Sequence, residues 1–499
     1  MKITNKRYGQ KEHHLGLPEI PNEPLSGNLS DNEAALRQIF ANSSDFYVRP
    51  VTFFQSVPGQ IVYLRILVDS GGMDKSLLEP LTKHKDDFEY ESPSQFIEQL
   101  KNESLAVAQA TIVSKLGETA QLIAEGHTIL MVDSSMEAIA VKLVNNQFNR
   151  QLEEPATEAL IRGPHIGFIE NIDMNIALIR KRVRIPHLKM EMLSAGKVTK
   201  TPVAMAYIEH LASPSVIEEM RKRLLKIDVD IILESGHIEE LISDNPFSPF
   251  PTMQMSERPD TVAALLLDGK VAVLVDGTPM ALVAPSTFWQ GFQTVEDYYT
   301  SYIFGTLIRW LRYLFAFLAL LLPSIYIAIT TFHPEMIPTS LVLSIAASRE
   351  IAPFPALVET LMMEVAFEGL REAGVRLPRP VGQTISIVGA LVIGEAAVMA
   401  GIISAPIVII VSLTGIASFL IPKINMSQAI RLSRFPMMLL AGSFGLYGIG
   451  AGIIALLIHL VNLRSFGVPY MFPVAPFHAS GIWDVLLRAP WKMLNKRQQ

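Results

Sequence analysis

The sequence predicts a chain in two parts: two cytoplasmic α/β subdomains, followed by a bundle of about four to six membrane helices. Hydropathy supports this division, because residues 1–299 carry charges throughout while residues 300–499 contain several long apolar runs. The net charge divides in the same way, with −12 in the first part and +6 in the second, for a total of −6. A basic excess beside apolar runs is typical of the Lys and Arg clusters that flank membrane helices on the cytoplasmic side.

Residues 1–29 predict a flexible N-terminal arm. This stretch is polar and interrupted by proline and glycine, and no apolar core follows its positive charges. It therefore does not have the pattern of a secretory signal. We expect the soluble part that follows the arm to stay in the cytoplasm.

Residues 30–145 predict the first α/β subdomain. The pattern begins with a capped helix over 30–40 and a strand pair, 45–54 and 61–69, with a turn at 57–60. Further elements are expected as helices near 74–82 and 93–102 and as a second strand pair at 128–132 and 138–144. Strands that alternate with helices favour a compact α/β fold.

Residues 155–287 predict a second α/β subdomain, after a polar joint at 145–155. Its expected elements are a helix at 173–184, strands at 188–194 and 202–209, helices at 214–225, 238–243 and 258–267, and two strands around an Asp276-Gly277 turn. The alternation of helices and strands resembles that of the first subdomain, although the two sequences show no visible similarity.

Residues 300–465 predict the membrane domain, and residues 466–499 predict a C-terminal tail. An aromatic-rich stretch at 288–302 precedes the first span, where the interfacial belt of a membrane protein would lie. The expected spans are 313–330, 383–403, 406–421 and 436–460. The stretch 340–372 carries several charges and two prolines, which favours a broken or partly water-facing element. The number of crossings and the side of the C-terminus stay open.

The composition excludes several functional classes. The chain has no cysteine, so disulfides, thiolate metal sites and cysteine nucleophiles are excluded. No phosphate-binding loop, nucleophile elbow or zincin motif occurs, and the acidic soluble part lacks the basic surface that nucleic-acid binding needs. His333 with Glu335 could ligate a metal, but a His-Pro pair in a short loop is more often structural. We therefore expect no enzyme activity, cofactor, metal or nucleic-acid partner.

Glu395 is a single carboxylate within the apolar run 381–405. An ionisable group at mid-membrane costs about 3 kcal/mol or more unless it faces protein, water or an ion. At helical spacing, the face of Glu395 includes Thr384, Val388, Leu391 and Val398. In a cyclic oligomer this face supplies a polar ring, apolar collars and a carboxylate ring, the parts of a cation channel. The alternative is a hydrogen bond of Glu395 inside a helix bundle, and the residues alone leave both interpretations open.

Glu364 and Glu368 are spaced i,i+4 and line one helical face, as do Glu368 and Glu372. One interpretation is a water-exposed helix whose carboxylates pair with Arg371 and Arg376. The other is an acidic vestibule that attracts cations. A carboxylate pair for acid–base catalysis would use the same spacing, but we find no metal or base partner for it.

Several long strings resemble one family. They are ENIDMNIALIRKRVR (170–184), TFHPEMIPTSLVLSIAASRE (331–350) and REAGVRLPRPVGQTISIVGALVIGEAAV (371–398), together with 207–242 and 248–289. These strings are similar to the A subunits of the GerA-type spore germination receptors of endospore-forming bacteria. The resemblance extends over nearly the whole chain after about residue 40. It does not separate a nutrient-receptor subunit from the sporulation-stage paralogue of the family.

The resemblance implies a multi-pass protein of the spore inner membrane whose soluble part faces the spore core. It also implies a homo-oligomeric ring, expected to be a pentamer, that opens to monovalent cations. By this resemblance the pore is lined by Thr384, Val388, Leu391, Glu395 and Val398. The vestibule at Glu364 and Glu368 is instead an expectation from their i,i+4 spacing. Expected partners are a transporter-like B subunit that senses the nutrient and a lipoprotein C subunit. The alternative is a non-conducting signalling or scaffold subunit that docks the transporter-like partner.

Overall fold

The computed structural model describes residues 16–82, 92–101, 110–143, 154–376 apart from 156 and 159, and 392–488 apart from 393. The chain divides into two compact units. The first comprises Met1–Ser243 and Met253–Pro285, and the second comprises Asp244–Thr252 and Ser286–Gln499. The first unit is α/β, and the second consists mainly of helices.

The first unit contains two five-stranded antiparallel sheets. The strands of the first sheet are β1 (Phe46–Phe53), β2 (Val57–Leu64), β3 (Ala110–Val113), β4 (His127–Val132) and β5 (Ala138–Lys142). Those of the second are β6 (Leu188–Ala195), β7 (Thr201–Ile208), β8 (Gln254–Ser256), β9 (Val271–Val275) and β10 (Ala281–Ala284). The spatial orders are β1-β2-β4-β5-β3 and β6-β7-β9-β10-β8, so the two sheets have the same topology.

The helices also occupy corresponding places in the two halves of this unit. The first half contains α1 (Leu29–Ile39), α2 (Ser70–Met73), a π-helical turn (Asp74–Leu78), α3 (Glu79–Thr82), α4 (Pro93–Gln99) and α5 (Leu116–Ala124). The second half contains α6 (Ile172–Arg182), α7 (Pro214–Leu225), α8 (Ser235–Ile242) and α9 (Pro259–Leu267). In each half a helix precedes the first strand pair and another lies between the third and fourth strands. The first unit is therefore a tandem repeat of one supersecondary unit.

The turn between β1 and β2 lies before its predicted position. The sequence predicts a turn at 57–60, but residues 54–56 form it, and Val57 pairs with Phe53 at the start of β2. Gly59, which suggested the turn, lies inside the strand instead. A Cβ at Gly59 would be 2.1 Å from the ring of Phe53, so this ring excludes any side chain there.

The described end of the predicted arm is docked on the first half. Leu25 is 3% exposed, and its N–H donates to the carbonyl oxygen of Ser114 at 2.8 Å. The N–H of Leu116 donates to the carbonyl oxygen of Glu23 at 2.8 Å. These bonds hold residues 23–25 beside β3 and α5, two short elements that the sequence pattern did not predict.

The two halves share one apolar core. A single buried cluster includes residues of both halves, among them Leu36 of α1, Ile123 of α5, Ile176 of α6 and Leu266 of α9. Across the junction, the guanidinium of Arg180 makes two 2.6 Å hydrogen bonds to the carboxylate of Asp45. Both side chains are 1–2% exposed. The two predicted subdomains thus fold against each other as one unit.

After residue 285 the second unit continues with a 3-10 helix (Phe288–Phe292), α10 (Glu296–Tyr299) and the long helix α11 (Tyr302–Phe332). Ser301 caps α11 by accepting the N–H of Phe304, and Pro323 lies inside the helix. The 31 residues of α11 are longer than the hydrocarbon core of a bilayer, since they extend ~46 Å at 1.5 Å per residue. Within the described residues, two helical stretches are by length and composition apolar enough to cross a membrane, α11 and α15 (Ile424–Asn462), and the second of them is interrupted at Gly445.

α15 reverses its direction at Gly445, where φ is 61° and ψ is −140°. A Cβ at Gly448 would lie 2.1 Å from the carbonyl oxygen of Leu440, and one at Gly452 would lie 2.4 Å from the sulfur of Met437. Along a straight helix these pairs would be ~12 Å and ~22 Å apart. The element is therefore a tight helical hairpin.

The single span predicted over 436–460 is wrong, because it contains this reversal. The two arms, 424–444 and 446–462, pack along α11 in opposite directions. The reversal lies against Phe332, the last residue of α11. The physical reason is the glycine-rich sequence, which permits a positive φ and lets the arms approach without intervening side chains.

The remaining helices of the second unit are shorter or more charged. They are α12 (Thr339–Arg349), α13 (Ala356–Arg376), α14 (Ala405–Phe419) and, after a two-residue strand pair β11 (Arg464–Ser465) and β12 (Val468–Pro469), α16 (Ala479–Leu486). The stretch 340–372 is broken between α12 and α13, in agreement with its charge and prolines. Ten of the 21 residues of the predicted span 383–403 lie outside the described residues, and in the described part the helix ends at residue 399, before a turn. A bundle of four to six crossing helices therefore stays a prediction.

Candidate functional site

Residues 394–399, here named the Glu395 segment, are helical and expose their carboxylate. Val392 and Met399, three residues before and four residues after Glu395, are 55% and 76% exposed. Val398 is half-buried, so it lies at the edge of this exposed face. No described residue forms an ion pair with Glu395. The other predicted pore-lining residues lie outside the described part of the chain: Thr384, Val388 and Leu391.

Glu364 of α13 lies inside the second unit. It is 0% exposed, and Nη1 of Arg434, itself 1% exposed, donates to its Oε2. The sequence-based interpretation names Arg371 and Arg376 as the answering charges. The arginine that pairs with Glu364 instead lies in the first arm of α15, 70 residues away in the chain.

Glu368 is half-buried one turn further along α13. Nε of Arg431 donates to its Oε1 at 2.9 Å, and Nη2 of the same arginine donates to its Oε2. Arg371 lies 3.9 Å from this carboxylate and donates to Oγ of Ser418 at 2.5 Å. Its guanidinium also lies over the ring of Phe419, 4.4 Å from the centroid.

These ion pairs join α13 to the first arm of α15. Charged side chains within membrane segments usually pair with one another in this way. The arrangement holds two helices in register, and within one chain it does not present Glu364 and Glu368 to a common opening. A vestibule formed by these two residues is therefore a proposal for the assembled protein.

A second charged cluster, absent from the sequence-based expectations, joins the base of α11 to the C-terminal segment. Arg309 is 0% exposed, donates to the carbonyl oxygen of Asp484 and lies 3.8 Å from the carboxylate of Asp297. The hydroxyl of Tyr298 donates to the carboxylate of Asp484 at 3.1 Å. Nε1 of Trp310 donates to a carbonyl oxygen of the same segment at 2.6 Å. The aromatic-rich stretch before α11 was the signal in the sequence that could have indicated this cluster.

His333 and Glu335 lie close together, with 3.5 Å between Nδ1 and Oε1. In the ranges that the structure describes, no group of three or more His, Asp or Glu side chains is placed to hold a metal ion.

The chain matches the model of one protein family, described as Bacillus/Clostridium GerA spore germination protein, over residues 34–499. Spore germination protein KA of Bacillus subtilis (strain 168) is 44% identical, over 95% of this chain and 87% of its own length. Spore germination protein GerLA of Bacillus cereus is 40% identical, over 95% of this chain and 96% of its own length. An uncharacterized membrane protein, YfkQ of Bacillus subtilis (strain 168), is 46% identical, over 99% of this chain and 95% of its own length.

One solved structure is also similar to part of the chain. It is the crystal structure of the N-terminal domain of the A subunit of the Bacillus megaterium spore germinant receptor GerK3. That chain is 32% identical, with a TM-score of 0.42, and the match covers 54% of this chain and 98% of the solved one.

Proposed function

Because the chain belongs to the Bacillus/Clostridium GerA spore germination protein family, we propose that it is the channel-forming A subunit of a spore germinant receptor. Copies of the chain assemble in a ring, with a pentamer as the expected size, in the spore inner membrane. The ring conducts monovalent cations when a nutrient germinant is sensed. The partners are a transporter-like B subunit and a lipoprotein C subunit.

The observation that carries the proposal is the exposure of Glu395. The carboxylates of Glu359, Glu364 and Glu368, on α13, each lie next to an arginine. Glu395 lies on an exposed helical face with two apolar neighbours, and none of the described residues pairs with it. Such a carboxylate is costly in lipid. In a ring it faces water and cations, and the ring thereby removes the cost.

The pore proposal is tested with the purified full-length chain. Its oligomeric state is measured by native mass spectrometry, and an image of the particle shows what lines the symmetry axis. In liposomes, Glu395→Gln should lower cation flux or cation preference roughly tenfold, because one charge per subunit leaves the axis. Glu335→Gln is the control, since Glu335 is 70% exposed in a loop outside this segment.

Two further variants test the apolar collars. Val388→Ala and Leu391→Ala should leak cations without germinant, because a wider collar is more easily wetted. A complex without a ring, or normal assembly with unchanged flux in all three variants, would instead favour a non-conducting scaffold that docks the B subunit.

A further inference from the structure

The Glu395 segment ends in a turn at 400–404, which packs against the loop after α12. Gly401 has φ of +65°. A Cβ at Gly401 would lie 2.6 Å from Cγ2 of Ile351 and 3.9 Å from its Cβ. The loop thus lies directly on the turn, and Cγ2 of Ile351 occupies the space that a side chain at Gly401 would need.

Glu359 of α13 reaches the same turn from the other side. Its side chain is 0% exposed, and its Oε2 accepts the N–H of Ser404 at 2.9 Å. Ser404 is the N-cap residue of α14. In a capping box, a Glu three residues into the same helix accepts this N–H. Ile407 occupies that position in α14 and has no acceptor, so a carboxylate from another helix takes over the role.

The second oxygen of Glu359 faces α12. Nε of Arg349, the last residue of α12, lies 3.7 Å from Oε1. No residue of α12 is buried, so apolar packing contributes little to its position. The contacts Arg349–Glu359 and Ile351–Gly401 therefore place the end of α12 against the turn.

The charge of Glu359 is not explained by packing alone. A buried carboxylate with one hydrogen bond and one arginine at 3.7 Å costs more to desolvate than a glutamine. A glutamine would also accept the N–H of Ser404. Compared with glutamine, the negative charge of Glu359 adds an electrostatic attraction to Arg349.

We propose that Glu359 is a positioning residue that ties the end of α12 to the turn closing the Glu395 segment. Its carboxylate caps α14 and holds Arg349 at the same time. A displacement of α12 is thereby passed to the turn and to the orientation of Glu395. The consequence for conduction rests on the proposed channel function, whereas the tie itself does not.

The tie is tested by disulfide formation in the full-length chain, which has no natural cysteine. The pair I351C/G401C removes the Cγ2 that lies closest, and the Cβ separation of 3.9 Å suits a disulfide. Oxidation is followed by the loss of both thiols to a maleimide–polyethylene glycol gel shift. We expect rapid closure in the otherwise unchanged chain.

Adding Glu359→Gln should slow closure roughly fivefold, because the loop loses its attraction to the turn. Arg349→Gln should have the same effect, and the double variant should be no slower than either single variant. Glu335→Gln is the matched control and should close at the unchanged rate. Unchanged closure in Glu359→Gln, with normal melting and assembly, would overturn the proposal.

Conduction is measured in the same preparations. The oxidised I351C/G401C chain should conduct several-fold less than the reduced chain, since the turn can no longer move. Equal conduction in both states would refute the link between the tie and Glu395. If even the wild-type chain passes no cations, the channel function fails, while the closure rates still decide whether Glu359 makes the tie.

Discussion

Glu364 and Arg434 form an ion pair in which both side chains are buried from solvent. Burying both charges costs several kcal/mol per ion, which their mutual attraction offsets only while both partners are present. The pair therefore adds little net stability compared with two apolar residues, but it strongly disfavours any arrangement in which α13 and α15 separate. The ion pair therefore selects one packing of α13 against α15 and adds little to the free energy of unfolding.

Glu364→Ala should lower the free energy of unfolding by about 3–5 kcal/mol, because Arg434 is left buried without a counter-charge. Glu372→Ala on the same helix is the control. Its ion pair with Arg376 has side chains 64% and 78% exposed, so the loss should be below about 1 kcal/mol. Both are measured as shifts in the melting temperature in nanodiscs. Equal shifts would show that the buried pair does not secure the two helices.

Glu239, in α8 of the first unit, makes the stability of the fold depend on pH. Burial raises the pKa of its carboxyl group to about 7, and repulsion by Glu234 adds to this. The unfolded chain ionises near pH 4.5, so the protonated carboxyl favours the folded state, and this contribution is lost as pH rises towards 7. Glu239→Gln should therefore raise the free energy of unfolding by on the order of 1 kcal/mol at pH 8 and leave it unchanged below pH 4.5. The gain at pH 8 is this small because the side chain is only half-buried.

The measurement for Glu239 is the melting temperature of the full chain at pH 4.5, 6 and 8. The unchanged chain should lose stability relative to the variant across this window. Parallel curves for the two proteins would show that Glu239 ionises normally in the folded state.

At the scale of elements, the hairpin α15 needs glycine at several positions, for two different reasons. Gly445 supplies the positive φ at the reversal. Gly448 and Gly452 supply close approach between the arms, since a Cβ at either would meet the facing arm. Gly450, between them, would meet nothing within 4 Å. Three of these four glycines are thus needed for the shape of the hairpin.

Gly448→Ala should destabilise the hairpin by about 1–3 kcal/mol, because its Cβ would lie 2.1 Å from a backbone oxygen that cannot move away alone. Gly450→Ala is the matched control and should be neutral or slightly stabilising, since alanine is the better helix former. Melting temperatures and protease resistance in nanodiscs check both. A neutral Gly448→Ala would argue for a straight helix over 424–462.

At the scale of the whole molecule, the two repeats make up the first unit, and the second unit comprises Asp244–Thr252 and Ser286–Gln499. The repeats share a core and the buried Asp45–Arg180 pair. In the second unit, the C-terminal segment returns to the base of α11 and is bound there through Arg309 and Trp310. The described part of the C-terminal segment therefore lies at the same end of α11 as Asp297, which precedes this helix.

The sequence selects Glu395 and the carboxylates of α13 as candidate site residues, but it does not indicate which residues contact them. One carboxylate in an apolar run is costly, which is why the sequence indicates Glu395, and the structure places this residue on an exposed helical face. Its place in a pore stays a prediction. The carboxylates of α13 were expected to meet arginines on their own helix. Arg434 and Arg431 come instead from α15, because i,i+4 spacing reports neighbours on one helix and carries no information about which helix packs opposite.

By itself, the sequence determined the division into a charged and an apolar part, most strands and helices of the first unit, and the family, because these depend on local composition, periodicity and long matching strings. Only the tertiary structure decided the reversal at Gly445, the shared core of the two repeats, and the tie between Glu359, Ser404 and Arg349. These features depend on contacts between residues far apart in the chain. Close packing selects such contacts, and no local pattern records them.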